Sequence, residues 1–92
     1  MASSLANKWV LITGASSGFG AAAARAFGAQ GAKLLLGARR VDRLEETAVL
    51  AKKAGAPAAH VKALDVSDTN STEDFMKWVR SLTDKIDVLI IA

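Results

Sequence analysis

Glycines at positions 14, 18 and 20 fall within the stretch "ITGASSGFG", directly after the apolar run Val10-Leu11-Ile12. One glycine permits a tight exit from a strand, the next lets the backbone come close to a ligand, and the third lets a helix lie against a sheet. Together these are the parts of a loop that cradles a phosphate. The helix that follows turns its unpaired N–H groups and the positive end of its dipole toward the anion. Glycines at this spacing also make ordinary turns. The strand before the loop and the helix after it are what favour phosphate binding.

A loop of this kind in a dinucleotide site has a second reader about 20 residues further on, at the end of the second strand. An acidic side chain there accepts a hydrogen bond from a ribose 2′-hydroxyl. This sequence places Ala38, Arg39 and Arg40 there, with no acid before Asp42. A carboxylate would repel a 2′-phosphate, whereas guanidinium groups pair with it through charge-assisted, often bidentate hydrogen bonds. The reading is therefore NADP(H) in preference to NAD(H). The alternative is that the two arginines only solubilise a helix start, where they oppose the helix dipole.

Other chemistry is thinly represented. With no cysteine in the chain, disulfides and thiolate–metal sites are excluded, and no set of residues has the spacing of a metal site. The single histidine, His60, sits on a presumed edge strand and reads as a solvated side chain. Asp84 and Asp87 flank a turn, where capping accounts for them.

The elements that must position these residues follow from periodicity. Short apolar runs at 9–13, 33–37, 59–64 and 87–91 read as strands. Between them, Phe19, Ala23, Ala26, Phe27 and Gln30 mark one helix, and Val41, Leu44, Ala48 and Ala51 a second. Ser71-Thr72-Glu73-Asp74 resembles a capping box opening a third, with Phe75, Trp78, Val79 and Leu82 on its apolar face. Helices alternating with apolar strands predict an α/β fold, a single Rossmann-like β-α-β-α-β-α-β domain over residues 1–92. Its parallel four-stranded sheet has the order 3-2-1-4, with helices on both faces.

The composition agrees: 51% hydrophobic and 23% charged residues with one proline suit a globular chain. No apolar run reaches the ~20 residues of a membrane helix, and the first ten residues lack the pattern of a secretory signal. A reducing, cytoplasmic setting is expected. The net charge is +3, but the cations are interspersed with acids except at Arg39, Arg40 and Arg43, so no nucleic-acid partner is expected.

The motifs Thr13 to Gly20, "GARR" at 37–40, "LDVSD" at 64–68 and "IDVLI" at 86–90 together resemble the N-terminal half of a short-chain dehydrogenase/reductase of the NADP-dependent type. The resemblance implies that Gly14, Ser16, Ser17, Gly18, Phe19 and Gly20 surround the pyrophosphate and adenosine ribose. It implies that Arg39 and Arg40 contact the 2′-phosphate, and that Asp65 and Val66 lie at the adenine. On the residues alone, Asp65 reads as a strand-end cap. The family's proton relay uses a tyrosine whose pKa a lysine lowers, and this chain contains no tyrosine. It is expected to bind and not to catalyse, as a truncated module, either excised or engineered.

The fold reading carries one more expectation. Four strands at ~4.8 Å span roughly 19 Å, and one helix covers roughly 10 Å of that width. The third helix alone on its face leaves part of the sheet bare, and the strand at 87–91 is an apolar edge. A homodimer is expected through that edge and face, with Phe75 and Trp78 near the shared surface. The rival reading is a self-associating structural fragment with little affinity for nucleotides.

Overall fold

The computed structural model describes residues 4–16 and 18–92. Strand β1 (Trp9–Thr13) leads into helix α1 (Gly18–Ala29), followed by β2 (Lys33–Ala38), α2 (Val41–Ala54), β3 (Ala59–Ala63), α3 (Thr69–Leu82) and β4 (Val88–Ile91). The four strands form one parallel sheet in the order β3-β2-β1-β4. Leu11 stands level with Leu35 on one side and with Leu89 on the other. This is the α/β architecture that the alternation of apolar strands and helices requires.

Alternate side chains of the strands feed two cores. Val10, Ile12, Leu34 and Leu36 point to the face covered by α1 and α2, where Ala24, Leu44 and Ala51 meet them. Leu11 and Leu35 point to the other face and are covered by Phe75 and Val79 of α3. Gly37 permits this contact, because a Cβ on it would lie 2.7 Å from the Phe75 ring. Phe75 is thus a core residue, 2% exposed, and not part of a free surface.

Helix α1 buries a different stripe from the one its larger apolar residues suggest. Gly20, Ala23, Ala24 and Gly28 are buried, while Phe19 and Ala26 are exposed. Close packing selects the small residues. A Cβ on Gly28 would come within 2.9 Å of the Ala51 carbonyl oxygen of α2, so only a stripe without bulk lets the two helices approach this far.

Helix α3 starts earlier than the capping box implies. Asp68 is its N-cap, with its carboxylate accepting from the N–H groups of Asn70 at 2.9 Å and Ser71 at 3.4 Å. Ser71 lies inside the helix, and its hydroxyl oxygen accepts from the Asp65 N–H at 2.9 Å. At the sheet's other end, Asp87 accepts from the Trp9 N–H at 2.8 Å, fastening the start of β4 to β1. That hydrogen bond, with smaller help from Lys85 and Lys8, holds the Asp87 carboxyl below the usual carboxylate range.

His60 does more than face water. It is half-buried and stacks on Trp9 with ring centroids 6.1 Å apart, while the Lys33 ammonium sits 4.7 Å from the Trp9 ring. In β4, Val88 and Ile90 pack against the α1/α2 core, whereas Leu89 and Ile91 on the α3 side are 55% and 77% exposed. Among the described residues, no helix is long and apolar enough to cross a membrane.

Candidate functional site

A cleft of about 760 Å³ opens beyond the C-terminal ends of the strands. Its walls include Thr13 at the end of β1, Ala38 at the end of β2 and Ile91 at the end of β4. The strand order reverses between β1, whose crossovers run toward β2 and β3, and β4 on its other side. Open α/β sheets bind ligands at such a reversal, because the loops leaving the two neighbouring strands part there.

Gly14, Ser16, Phe19 and Gly20 form the cleft's loop wall. Gly14 has φ +70°, and a Cβ there would meet the Ala92 carbonyl oxygen at 2.7 Å, so this turn needs glycine on both counts. Gly18 has φ +59° and nothing within 4 Å of where a Cβ would stand. Gly20 lies so near the loop that a Cβ would run into the Gly14 carbonyl. The loop is held from behind, with the Ala15 N–H donating to the Gly37 carbonyl at 3.3 Å and the buried Thr47 hydroxyl of α2 donating to the Ala15 carbonyl at 3.0 Å. Ser17 lies outside the described residues.

Across from the loop, Arg39, Arg40, Arg43, Asp65, Val66 and Ser67 line the cleft. Arg40 is the N-cap of α2 and is turned to Asp42, its Nε and an Nη donating to the two carboxylate oxygens at 3.3 and 3.1 Å. This pairing raises the Arg40 pKa and lowers that of Asp42. The Asp65 carboxylate accepts from the Ser67 hydroxyl at 2.6 Å and the Ser67 N–H at 3.0 Å. These two bonds hold it below the usual carboxylate range, with a smaller contribution from the Arg39 charge. Val66 is 76% exposed, an apolar side chain open to solvent at the rim.

Apart from Ser17 and Gly18, the residues expected at a dinucleotide meet at this one cleft. Sequence reasoning assigned no role to Arg43, Thr47 or Ser67. Arg43 had a signal in its spacing, since three or four residues beyond Arg39 and Arg40 is one helical turn. Thr47 had none, because its partner Ala15 is 32 positions away. Among the described residues, no three His, Cys, Asp or Glu side chains gather as a metal site would need. The loop wall at Gly14, Ser16, Phe19 and Gly20, the arginine wall and the room in the cleft fit a phosphorylated dinucleotide.

The sheet and its helices define a Rossmann-like α/β domain by their form. More particularly, the chain belongs to the short-chain dehydrogenase family, whose model matches residues 8–92. It is 40% identical over 84 residues to meso-2,3-butanediol dehydrogenase of Serratia marcescens, covering 91% of this chain and 32% of that protein. An alcohol dehydrogenase from the archaeon Thermococcus sibiricus, solved in complex with 5-hydroxy-NADP, superposes with a TM-score of 0.82 at 44% identity. That match covers 89% of this chain and 35% of the other. A metagenomic short-chain oxidoreductase solved with NADP gives a TM-score of 0.87 at 37% identity, over 95% of this chain and 39% of that one. The chain thus spans about a third or less of the length of the curated relatives it matches.

Proposed function

We propose that this chain is an NADP(H)-binding module and that, within a longer protein, it would present the cofactor for oxidoreductase chemistry. The observation that carries the reading is the joining, in one cleft, of an open glycine loop to a wall of arginines. Gly14, Ser16, Ser17, Gly18, Phe19 and Gly20 would hold the pyrophosphate and ribose. Asp65 and Val66 would bound the adenine, and Arg39 foremost would meet the 2′-phosphate. The nicotinamide group supplies hydride transfer when bound. This chain's part is to bind and orient, since it has no tyrosine to move the substrate's proton.

Isothermal titration of the chain with NADP+ and NAD+ tests this reading. Weak binding is expected, with NADP+ the tighter ligand, and Arg39→Ala should remove most of the difference, roughly tenfold in affinity. Equal affinity of the parent chain for the two dinucleotides would refute the preference.

The bare apolar side of β4 favours a second property, self-association, compatible with the first. We propose a homodimer in which the edge at 87–91 meets its symmetry mate and the exposed Leu89 and Ile91 are covered. Light scattering at tens of micromolar should give twice the chain mass for the parent and a shift toward the single-chain mass for Leu89→Lys. A monomeric parent at that concentration excludes the dimer.

A further inference from the structure

Among the described residues, Thr47 is the one buried polar side chain, 5% exposed, on a face of α2 whose other buried members are Leu44, Ala48 and Ala51. Valine has the same shape and would fill the space without a polar group, so the hydroxyl needs a reason of its own. A threonine inside a helix commonly returns its hydroxyl to a carbonyl three or four residues back, as Thr72 does to Asp68 at 3.1 Å. Thr47 instead donates to the Ala15 carbonyl, 32 positions away, at 3.0 Å.

Ala15 is a fully buried member of the glycine loop. Its carbonyl shares a peptide unit with the Ser16 N–H, and the described peptide bonds are trans. In a trans unit the two groups point in opposite directions. With the carbonyl drawn to α2, the Ser16 N–H is turned away from α2. Ser16 lines the large cleft and also the smaller groove that Thr47 borders, so this unit stands between the two. No carbonyl among the described residues accepts from the Ser16 N–H. Turned over, the unit would offer an oxygen on the side where it now offers a donor, and an anion needs the donor. The Ala15 N–H belongs to the preceding unit and is held separately by the Gly37 carbonyl. The Thr47 hydroxyl is therefore the group that fixes which way the Ala15–Ser16 unit faces.

We propose that Thr47 is a positioning residue for dinucleotide binding, its hydroxyl setting the Ala15–Ser16 peptide so that the Ser16 N–H meets the part shared by NADP+ and NAD+. The proposal rests on the NADP(H) reading above and names the residue that orients its phosphate loop.

Titration of NADP+ and NAD+ into the parent chain, Thr47→Val, Thr47→Ser and Thr47→Cys, each first shown to be folded by circular dichroism, tests the role. Thr47→Val should weaken both dinucleotides by the same factor, roughly fivefold, and leave the preference between them unchanged. Thr47→Ser keeps the hydroxyl and should stay within about twofold of the parent. Thr47→Cys, with a weak S–H donor, should fall between. A threonine that only stabilises the fold would lower the urea midpoint and leave the affinity of the folded chain alone. Parent-like affinity in folded Thr47→Val, or an equal loss in Thr47→Ser, overturns the inference. If Thr47→Val does not fold, Thr47→Cys binding as tightly as Thr47→Ser overturns it instead. A parent chain that binds neither dinucleotide would show that the NADP(H) reading has failed, and this assignment with it.

Discussion

Gly20→Ala should remove a large part of the domain's stability. The added Cβ would run into the Gly14 carbonyl and stand 3.0 Å from the Ala15 Cα, and both obstacles are backbone. No rotamer change relieves such a clash. Either α1 must move off the loop, or the loop must leave the end of β1. The Thr47 and Ala15 hydrogen bonds and the buried stripe of α1 oppose both movements. Overpacking costs ~1–3 kcal/mol and sometimes more, and a backbone obstacle belongs at the upper end. A domain of this size has on the order of 5–14 kcal/mol in all. Urea unfolding followed by circular dichroism should show a midpoint far below the parent's, or a chain already unfolded in buffer. Gly18→Asn is the informative control. Its backbone conformation is left-handed, which asparagine tolerates, and the space around it is open. That variant should fold nearly as well as the parent and lose dinucleotide affinity, because its new side chain would occupy the space proposed for the phosphate. A Gly20→Ala chain with the parent's midpoint would contradict the packing described for α1.

Phe75→Ala should be the most damaging truncation in the core. One face of the sheet is covered by a single helix, and Phe75 is its largest buried contribution. The ring lies against Gly37, with the half-buried Trp78 ring 5.3 Å away. Removing a buried phenylalanine costs ~3–5 kcal/mol, from lost transfer energy and from a cavity that the surroundings fill only in part. The high end applies here, because Gly37 has no side chain with which to close the gap. The measurement is again the urea midpoint, now compared with Trp78→Ala, whose ring keeps contact with water and should cost clearly less. If the two truncations cost the same, or if Phe75→Ala stays within ~1 kcal/mol of the parent, then α3 is not held to the sheet mainly by this ring.

Much of the molecule could be read from residue order alone. The apolar runs at 9–13 and 33–37 read as buried strands, found at Trp9–Thr13 and Lys33–Ala38, and strands alternating with helices favour parallel pairing through crossovers. The glycine spacing and the arginines that follow the second strand marked the glycine loop and the cationic wall that meet at the cleft, because both depend on neighbours in sequence. Tertiary structure decided what depends on distance through space. Small residues were selected for the buried stripe of α1 because α2 lies against it, and no periodicity within α1 reveals how near that helix comes. Gly37 had to be glycine because Phe75, 38 positions later, occupies the space above it. Asp68 displaced the Ser71 capping box because its carboxylate could reach two free N–H groups while the Ser71 hydroxyl was taken by Asp65. Arg40 and Arg39 look equivalent in the sequence and both line the cleft, yet among the described residues only Arg40, the N-cap of α2, is paired with an acid, Asp42.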